Sequence, residues 1–248
     1  MKITIITVCF NSKDFIRKTL EAVASQDYQN IEHVVVDGGS TDGTIEILKE
    51  FAGKINWISE PDKGIYDAMN KGVKLATGDA IGTLGAGDFY PNNQVISKVV
   101  AGFEQFKTEA IYGDKQYVNP ENLEKIVRYW NPGEYKIENW HEGWMPPHQS
   151  FYLKKSAFEK YGLYMDEFRS AGDYELMLRM LYKHKLSAHY ISGLLVTMLT
   201  GGTSTASFSN RIKANLEDRK AWKVNNLSPK WYTLYWKPLG KVWQFLKR

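Results

Sequence analysis

Two periods of hydrophobic and polar residues alternate along this chain. Lys2 to Phe10 is a β-branched apolar run, the pattern of a buried strand. Asn11-Ser12 ends it. Ser12 is placed to cap a helix, in which Ile16, Leu20, Val23 and Ala24 recur at helical spacing. The cycle then repeats. Ile31 to Val36 reads as a second strand and runs into Asp37-Gly38-Gly39-Ser40-Thr41-Asp42-Gly43. Ser40 or Thr41 can cap the next helix, with Ile45, Leu48 and Phe51 inward. Ile55 to Ser59 is a short third strand. The turn Glu60-Pro61-Asp62-Lys63-Gly64 leads to a helix from Ile65 to Ala76, with Ala68, Met69, Val73 and Ala76 inward. Ala80 to Leu84 is a fourth strand, ending in Gly85-Ala86-Gly87-Asp88. Pro91-Asn92-Asn93 opens a helix carrying Val95, Val99 and Phe103, and Ala110 to Asp114 is another strand. Strands alternating with helices predict an α/β fold, with a mostly parallel central sheet and helices on both faces.

From Lys115 to Met145 the periodicity fails and aromatic residues accumulate, so this stretch reads as irregular, a different surface on the acceptor side. His148 to Leu153 is strand-like and Lys154 to Tyr161 a short helix. Ala171-Gly172-Asp173 opens a helix with Tyr174, Met177, Leu178 and Leu181 inward. Ser187 to Thr197 is a final strand, followed by the glycine-rich Gly201-Gly202-Thr203-Ser204-Thr205 loop, which could close as a lid, and a polar helix from Phe208 to Val224. The predicted organisation is one domain over 1–207, in two halves, 1–114 and 115–207. A helical, aromatic and basic extension covers 208–248.

Composition narrows the class. The 248 residues are 43% hydrophobic and 24% charged, an ordinary globular balance. A single cysteine, Cys9, lies in an apolar run and reads as a buried thiol in a reduced, cytoplasmic setting. Met1-Lys2 leads straight into a strand pattern, so no signal peptide is expected. Net charge is +4, but ten Lys or Arg against two acids follow from Phe208 on, leaving residues 1–207 net acidic. That distribution argues against a nucleic-acid-binding body, although the tail alone has the composition of one.

The candidate chemistry sits where strands end. Asn11 follows strand one, Asp37 strand two, Glu60 and Asp62 strand three, and Asp88 strand four. In an open parallel sheet these ends share one edge, where ligands bind. A carboxylate such as Asp88 beside glycines can hold a hard divalent cation. The chain lacks G-x-x-x-x-G-K-[ST], G-x-G-x-x-G after strand one, and G-x-S-x-G. His141 and His148 lack the spacing of a zinc-binding helix.

Thr7-Val8-Cys9-Phe10-Asn11, Val36-Asp37-Gly38-Gly39-Ser40-Thr41-Asp42-Gly43-Thr44, the run from Glu60 through Lys71-Gly72, and Gly87-Asp88 together resemble the family 2 glycosyltransferases, over about residues 3–205. The resemblance implies the GT-A (nucleotide-diphospho-sugar transferase) fold and inverting sugar transfer, of the kind used in bacterial polysaccharide, O-antigen or capsule assembly. The donor it implies is a nucleotide-diphosphate sugar, UDP-linked by preference. The acceptor is a hydroxyl of a glycan or lipid-linked molecule.

It also implies roles. Thr7, Phe10 and Asn11 border the nucleotide pocket, and Asp37, with Gly38, contacts uracil or ribose. Asp67, Asn70 and Lys71 contact base and diphosphate. Ala86 and Gly87 lie against the donor, Asp88 holds Mn²⁺ or Mg²⁺, and Asp173 is the catalytic base. His148, Gln149 and Glu175 are candidate sugar or acceptor contacts. One departure is that Gly87-Asp88 stands where many relatives carry two acids. A sugar-nucleotide nucleotidyltransferase is the rival enzyme class, but it calls for a basic Gly-rich loop after strand one that Thr7 to Ser12 lacks. The tail's Trp222, Trp231, Trp236 and Trp243, interleaved with Lys and Arg, suit the inner membrane face. The alternative for the tail is a hairpin packed on the body, or on another subunit of a homo-oligomer.

Overall fold

A computed structural model describes residues 1–200 and 208–240, with side chains of the C-terminal segment described from 214 to 237. The expected lid from Gly201 to Thr205 and the last basic residues, 241–248, lie outside the described residues. The first half alternates as its sequence pattern requires: β1 (Ile3–Cys9), α1 (Ile16–Ala24), β2 (Ile31–Asp37), α2 (Thr44–Glu50), β3 (Asn56–Ser59), α3 (Ile65–Leu75), β4 (Ala80–Thr83) and α4 (Val95–Phe106). β5 (Ala110–Asn119), β6 (Asn122–Trp130), β7 (Phe151–Lys154), α5 (Lys155–Tyr161), α6 (Gly172–Met177), β8 (Ala188–Leu199), α7 (Phe208–Val224) and α8 (Thr233–Gly240) follow.

All strands join one sheet in the order β3-β2-β1-β4-β7-β5-β6, with β8 paired to β5. β1 runs parallel to β2 and β4, and β2 parallel to β3. β7 runs antiparallel to both β4 and β5, so β5 points the same way as β1 and β4. The C-terminal ends of β1, β2, β3 and β4 and the second half of β5 therefore face one edge. β1 is buried along nearly its whole length, which explains its unbroken apolar pattern. Helices bury apolar stripes against the sheet, α3 through Tyr66, Ala68, Met69, Gly72 and Val73, and α4 through Val95, Ile96, Val99, Val100 and Phe103.

Three local expectations are corrected. Ser12 does not cap α1. Its carbonyl accepts the N–H groups of Phe15 and Ile16, and its hydroxyl donates to the Phe10 carbonyl, so a turn precedes the helix. α2 follows Gly43 rather than a Ser40 or Thr41 cap, and Asp42 Oδ1 accepts the Thr44 N–H at 3.0 Å. The stretch after Lys115 is not irregular throughout. β5 continues to Asn119 and turns through Pro120-Glu121 into β6, Asn119 pairing with Asn122. β6 is exposed over its first six residues, so no inward-facing period marks it in the sequence.

The C-terminal segment packs on the body. Trp222 is fully buried and donates its indole N–H to the Tyr174 hydroxyl at 2.9 Å. Glu217 accepts the backbone N–H groups of Arg169, Ser170 and Ala171. Asn215 ties α7 to the Leu234 carbonyl of α8.

Candidate active site

The β1 and β2 ends are shaped by Asp37. Its carboxylate is fully buried and accepts the Gly39 N–H at 3.1 Å, the Ser40 N–H at 2.9 Å, the Ser59 hydroxyl at 2.6 Å and the Ser40 hydroxyl. Burial raises its pKa, but these hydrogen bonds outweigh that and hold it below the usual carboxylate range. Asp37 thus fixes the loop through Gly38, whose N–H donates to the Cys9 carbonyl at 2.9 Å. Asn11, in the left-handed region at φ 45°, accepts the Thr41 N–H on its side chain at 3.0 Å. Beside it Phe10 is 62% exposed, an apolar face open to solvent next to the Gly38 loop. Thr7 lies beneath. It is fully buried, its hydroxyl 2.9 Å from His33 Nε2.

Lys71 on α3 gathers three acids. Its ammonium lies 2.9 Å from Glu60, 2.7 Å from Asp62 and 3.5 Å from Asp67, and it donates to the Pro61 carbonyl. Burial lowers its pKa, yet the acids outweigh that and raise it above the ordinary lysine value. Asp67 also accepts the Lys63 N–H at 3.0 Å, closing the first turn of α3. Asn70 spends its amide differently. It donates to the Tyr164 carbonyl and accepts the Tyr164 N–H, each at 2.9 Å, and so pins a remote loop to α3.

Asp88 lies in the turn after β4 and is only 3% exposed. Gly87 adopts φ 95°, a conformation that favours glycine, and its N–H donates to Thr19 Oγ1. Ala86 packs beside the small apolar cluster of α1 and α2. Asp88 Oδ2 accepts the Gly85 N–H at 3.2 Å. Burial pushes its carboxyl up to about 6, against the pull of the nearby Lys115 ammonium and the Gly85 N–H. Lys115, a buried lysine in β5, donates to Gln149 Oε1 at 2.7 Å.

From Gln149 the polar groups continue to Asp173. The buried His148 places Nδ1 3.5 Å from Thr83 Oγ1 and Nε2 2.9 Å from the Tyr164 hydroxyl. Burial holds its imidazole below the ordinary value, while the charge of Asp173 pulls upward and that of Lys115 pushes further down. Tyr66 stacks on Tyr164 with ring centroids 5.8 Å apart, and its hydroxyl lies 3.4 Å from Asp173 Oδ1. Asp173 is partly exposed in the first turn of α6. Its Oδ2 has no hydrogen-bond partner among the described residues.

Glu175 is corrected as an acceptor contact. It is 0% exposed and paired with Arg179 at 2.7 and 3.0 Å, and it also accepts from Asn225 at 3.0 Å. It joins α6 to the end of α7 inside the protein.

The residues from β1 through α5 match the family described as Glycosyl transferase family 2 over 4–162. The chain belongs to this family. An uncharacterized glycosyltransferase of Mycobacterium tuberculosis is 32% identical over 180 residues, covering 71% of this chain and 68% of the relative. A PGL/p-HBAD biosynthesis glycosyltransferase of Mycobacterium bovis is 28% identical over 193 residues, covering 76% and 73%. In fold, this glycosyltransferase is similar to TarS of S. aureus, solved with UDP-GlcNAc, at TM-score 0.71 and 17% identity over 95% of this chain and 69% of that one. It is also similar to a mannosyltransferase of Pyrobaculum calidifontis, solved with GDP-Man and Mn²⁺, at TM-score 0.68 and 17% identity over 99% and 72%. These likenesses establish the GT-A fold.

The sequence reading missed Lys115, Tyr66, Tyr164 and Thr83. Lys115 follows Tyr112-Gly113-Asp114 within a strand that the reading ended too early. Nothing in the sequence pattern sets the two tyrosines apart from the other aromatics. For a divalent cation, Asp88 offers one hard oxygen ligand, and among the described residues no group of three His, Cys, Asp or Glu is placed to hold a metal. One carboxylate fits a cation that arrives with diphosphate oxygens, not one held by the protein alone.

Proposed function

We propose that the chain transfers a sugar, with inversion, from a UDP-sugar to a hydroxyl of a glycan or lipid-linked acceptor in cell-surface polysaccharide assembly. The observation that carries this reading is the row of polar side chains between Asp88 and Asp173, which includes Lys115, Gln149, His148, Tyr164 and Tyr66. It has a buried carboxylate suited to a cation at one end and, at the other, a partly exposed carboxylate whose Oδ2 has no hydrogen-bond partner among the described residues.

The nucleotide lies against Phe10, Asn11 and the Gly38 loop, with Asp67 and Lys71 on the opposite wall. Donor diphosphate competes with Glu60 and Asp62 for the Lys71 ammonium, so the acid-bound arrangement is the resting one. Mn²⁺ or Mg²⁺, held by Asp88 and diphosphate oxygens, supplies charge neutralisation at the leaving group when bound. Lys115 adds a fixed positive charge at the same place. The acceptor oxygen attacks the anomeric carbon as the bond to the diphosphate oxygen breaks. Asp173 takes the hydroxyl proton, and the nucleoside diphosphate leaves with the bonding electrons. Tyr66 orients Asp173, while His148 and Gln149 line the floor between the two ends. A single base suffices, because displacement occurs once and the configuration inverts.

The exposed aromatics of α8 and the turn before it support placement at a membrane surface. Trp231 is 84% exposed and Tyr235 60%, close to Lys230. Among the described residues no helix is long and apolar enough to cross a membrane. Sedimentation with vesicles of phosphatidylglycerol and phosphatidylethanolamine tests this. The double substitution Trp231→Ala and Tyr235→Ala is expected to reduce binding several-fold, and equal sedimentation would remove the membrane from the reading.

Asp173→Asn tests the reaction. It keeps the shape of the side chain but removes the base. It is expected to lower sugar transfer by about 10²–10⁴-fold while UDP-sugar binding holds within about twofold.

A further inference from the structure

A cavity of about 380 Å³ lies between the end of β6, the short helical turn Ile137–Glu142 and α8, lined by none of the residues assigned above to the donor. Its volume falls within the ~300–1,000 Å³ of small-molecule sites. Trp130, Asn131, Asn139, Glu142, Trp144 and Trp236 supply its walls. A pyranose ring presents a C–H face and a rim of hydroxyls, each of which both donates and accepts. Indoles match the first, and amides and a carboxylate match the second. The half-buried Asn139 side chain has no hydrogen-bond partner among the described residues, so both ends of its amide are free to meet a ligand. Glu142 uses one oxygen to accept from the Tyr232 hydroxyl at 3.2 Å.

Position ties the cavity to the reaction edge. Trp130 is the cross-strand partner of Lys115 in the β5–β6 ladder, and the charge of Lys115 acts on Asp88. Asn131 donates to Asp114 Oδ2 at 3.4 Å, one residue before Lys115. Met145, on the cavity wall, precedes His148 by three residues, which limits their separation to about 11 Å even when fully extended.

The wall is built rather than incidental. Gly143 closes the short helical turn Ile137–Glu142 at φ 74°, and a Cβ there would meet the Lys237 Cα at 2.5 Å. The α8 backbone thus sits directly on this glycine, which fixes Trp236 over the opening. Lys237 adds no free positive charge. Its ammonium lies 2.6 Å from Asp218 and 3.4 Å from the centre of the Tyr174 ring. With Lys237 neutralised and Glu142 present, the lining selects against an anionic sugar.

We propose that this cavity is an acceptor subsite that holds a neutral pyranose of the growing glycan, stacked on Trp236 and hydrogen-bonded by Asn139 and Glu142. The proposal deepens the transferase reading and rests on it.

The test is titration of the full chain with methyl pyranosides of glucose, galactose, mannose, rhamnose and N-acetylglucosamine, and with cellobiose and lactose. Saturation-transfer NMR and calorimetry follow binding, and UDP with Mn²⁺ is titrated into the same preparation. At least one saccharide is expected to bind. Trp236→Ala weakens it about tenfold, and Trp236→Phe, which restores a stacking face, returns it to within about threefold. Asn139→Ala, on the same wall but outside α8, gives a loss of at least about fivefold, which separates a lost ring contact from a displaced helix. UDP binding with no saccharide binding, or saccharide binding unchanged in both Trp236→Ala and Asn139→Ala, overturns the subsite alone. Absence of both UDP and saccharide binding overturns the transferase reading with it.

Discussion

At single residues, the difference between a scaffold and a reacting group lies in how many of its polar atoms are already engaged. Both Asp37 oxygens are engaged by its own turn and by Ser59, whereas Asp173 Oδ2 has no hydrogen-bond partner among the described residues. Lys115 is the sharpest residue-level case. It is buried, its charge acts on Asp88, and its ammonium donates to Gln149. Lys115→Met, which keeps most of the volume and removes the charge, is expected to lower kcat by about 10²–10³-fold, the scale for losing one preorganised electrostatic group at the reacting charge. Initial rates over a range of UDP-sugar concentrations check this. Glu175 and Arg179 form the contrasting pair, buried and fully engaged with each other. Arg179→Met leaves the Glu175 charge without its cation and is expected to destabilise the fold by about 3–5 kcal/mol. Urea unfolding measures that loss.

At the level of elements, what the sequence makes legible tracks how deeply each element is buried. β1, β2, α3 and α4 pack against a core and carry a clear period, so their places follow from pattern alone. β6 packs against little and carries none, so the β5–β6 hairpin that brings Trp130 beside Lys115 is invisible in the sequence. Strand-end residues such as Asp37 and Asp88 were legible because a parallel sheet must bring those ends together. The Tyr66, Tyr164 and His148 group was not, because it joins α3, a loop after α5 and a turn before β7 across long sequence separations. Asn70 holds that assembly, pinning Tyr164 from α3. Asn70→Ala leaves the Tyr164 backbone groups unpaired and is expected to cost about 1–3 kcal/mol. Faster hydrogen exchange should appear in residues 163–168 before it appears in the β1–β4 sheet.

The whole molecule carries a pH dependence set by its interior. His33, buried against Thr7, is pushed down to about 3 by burial. An unfolded histidine titrates near ~6.5. Below that pH the unfolded chain takes up a proton that the folded chain refuses until about pH 3. His33 therefore contributes its full stability above pH 6.5 and loses it progressively toward pH 3, by at most about 1.4 kcal/mol per pH unit. His148, also lowered by burial, acts in the same direction. Asp88, raised to about 6 by burial, opposes both below pH 6, where the folded chain takes up its proton first. Comparing unfolding free energies of wild type and His33→Gln at pH 7, 6 and 5 isolates the histidine: the wild type is expected to lose more stability than the variant as pH falls.

The sheet edge from Asp88 to Asp173 is where fold and chemistry meet, and both ends can be read in one comparison. Wild type and Asp173→Asn are each titrated with UDP-sugars in Mn²⁺ and followed for sugar transfer to the acceptor. Equal donor affinity with transfer reduced by about 10²–10⁴-fold in Asp173→Asn is the expected result. Transfer at the wild-type rate by a folded Asp173→Asn chain would contradict the assignment of the reaction to this edge.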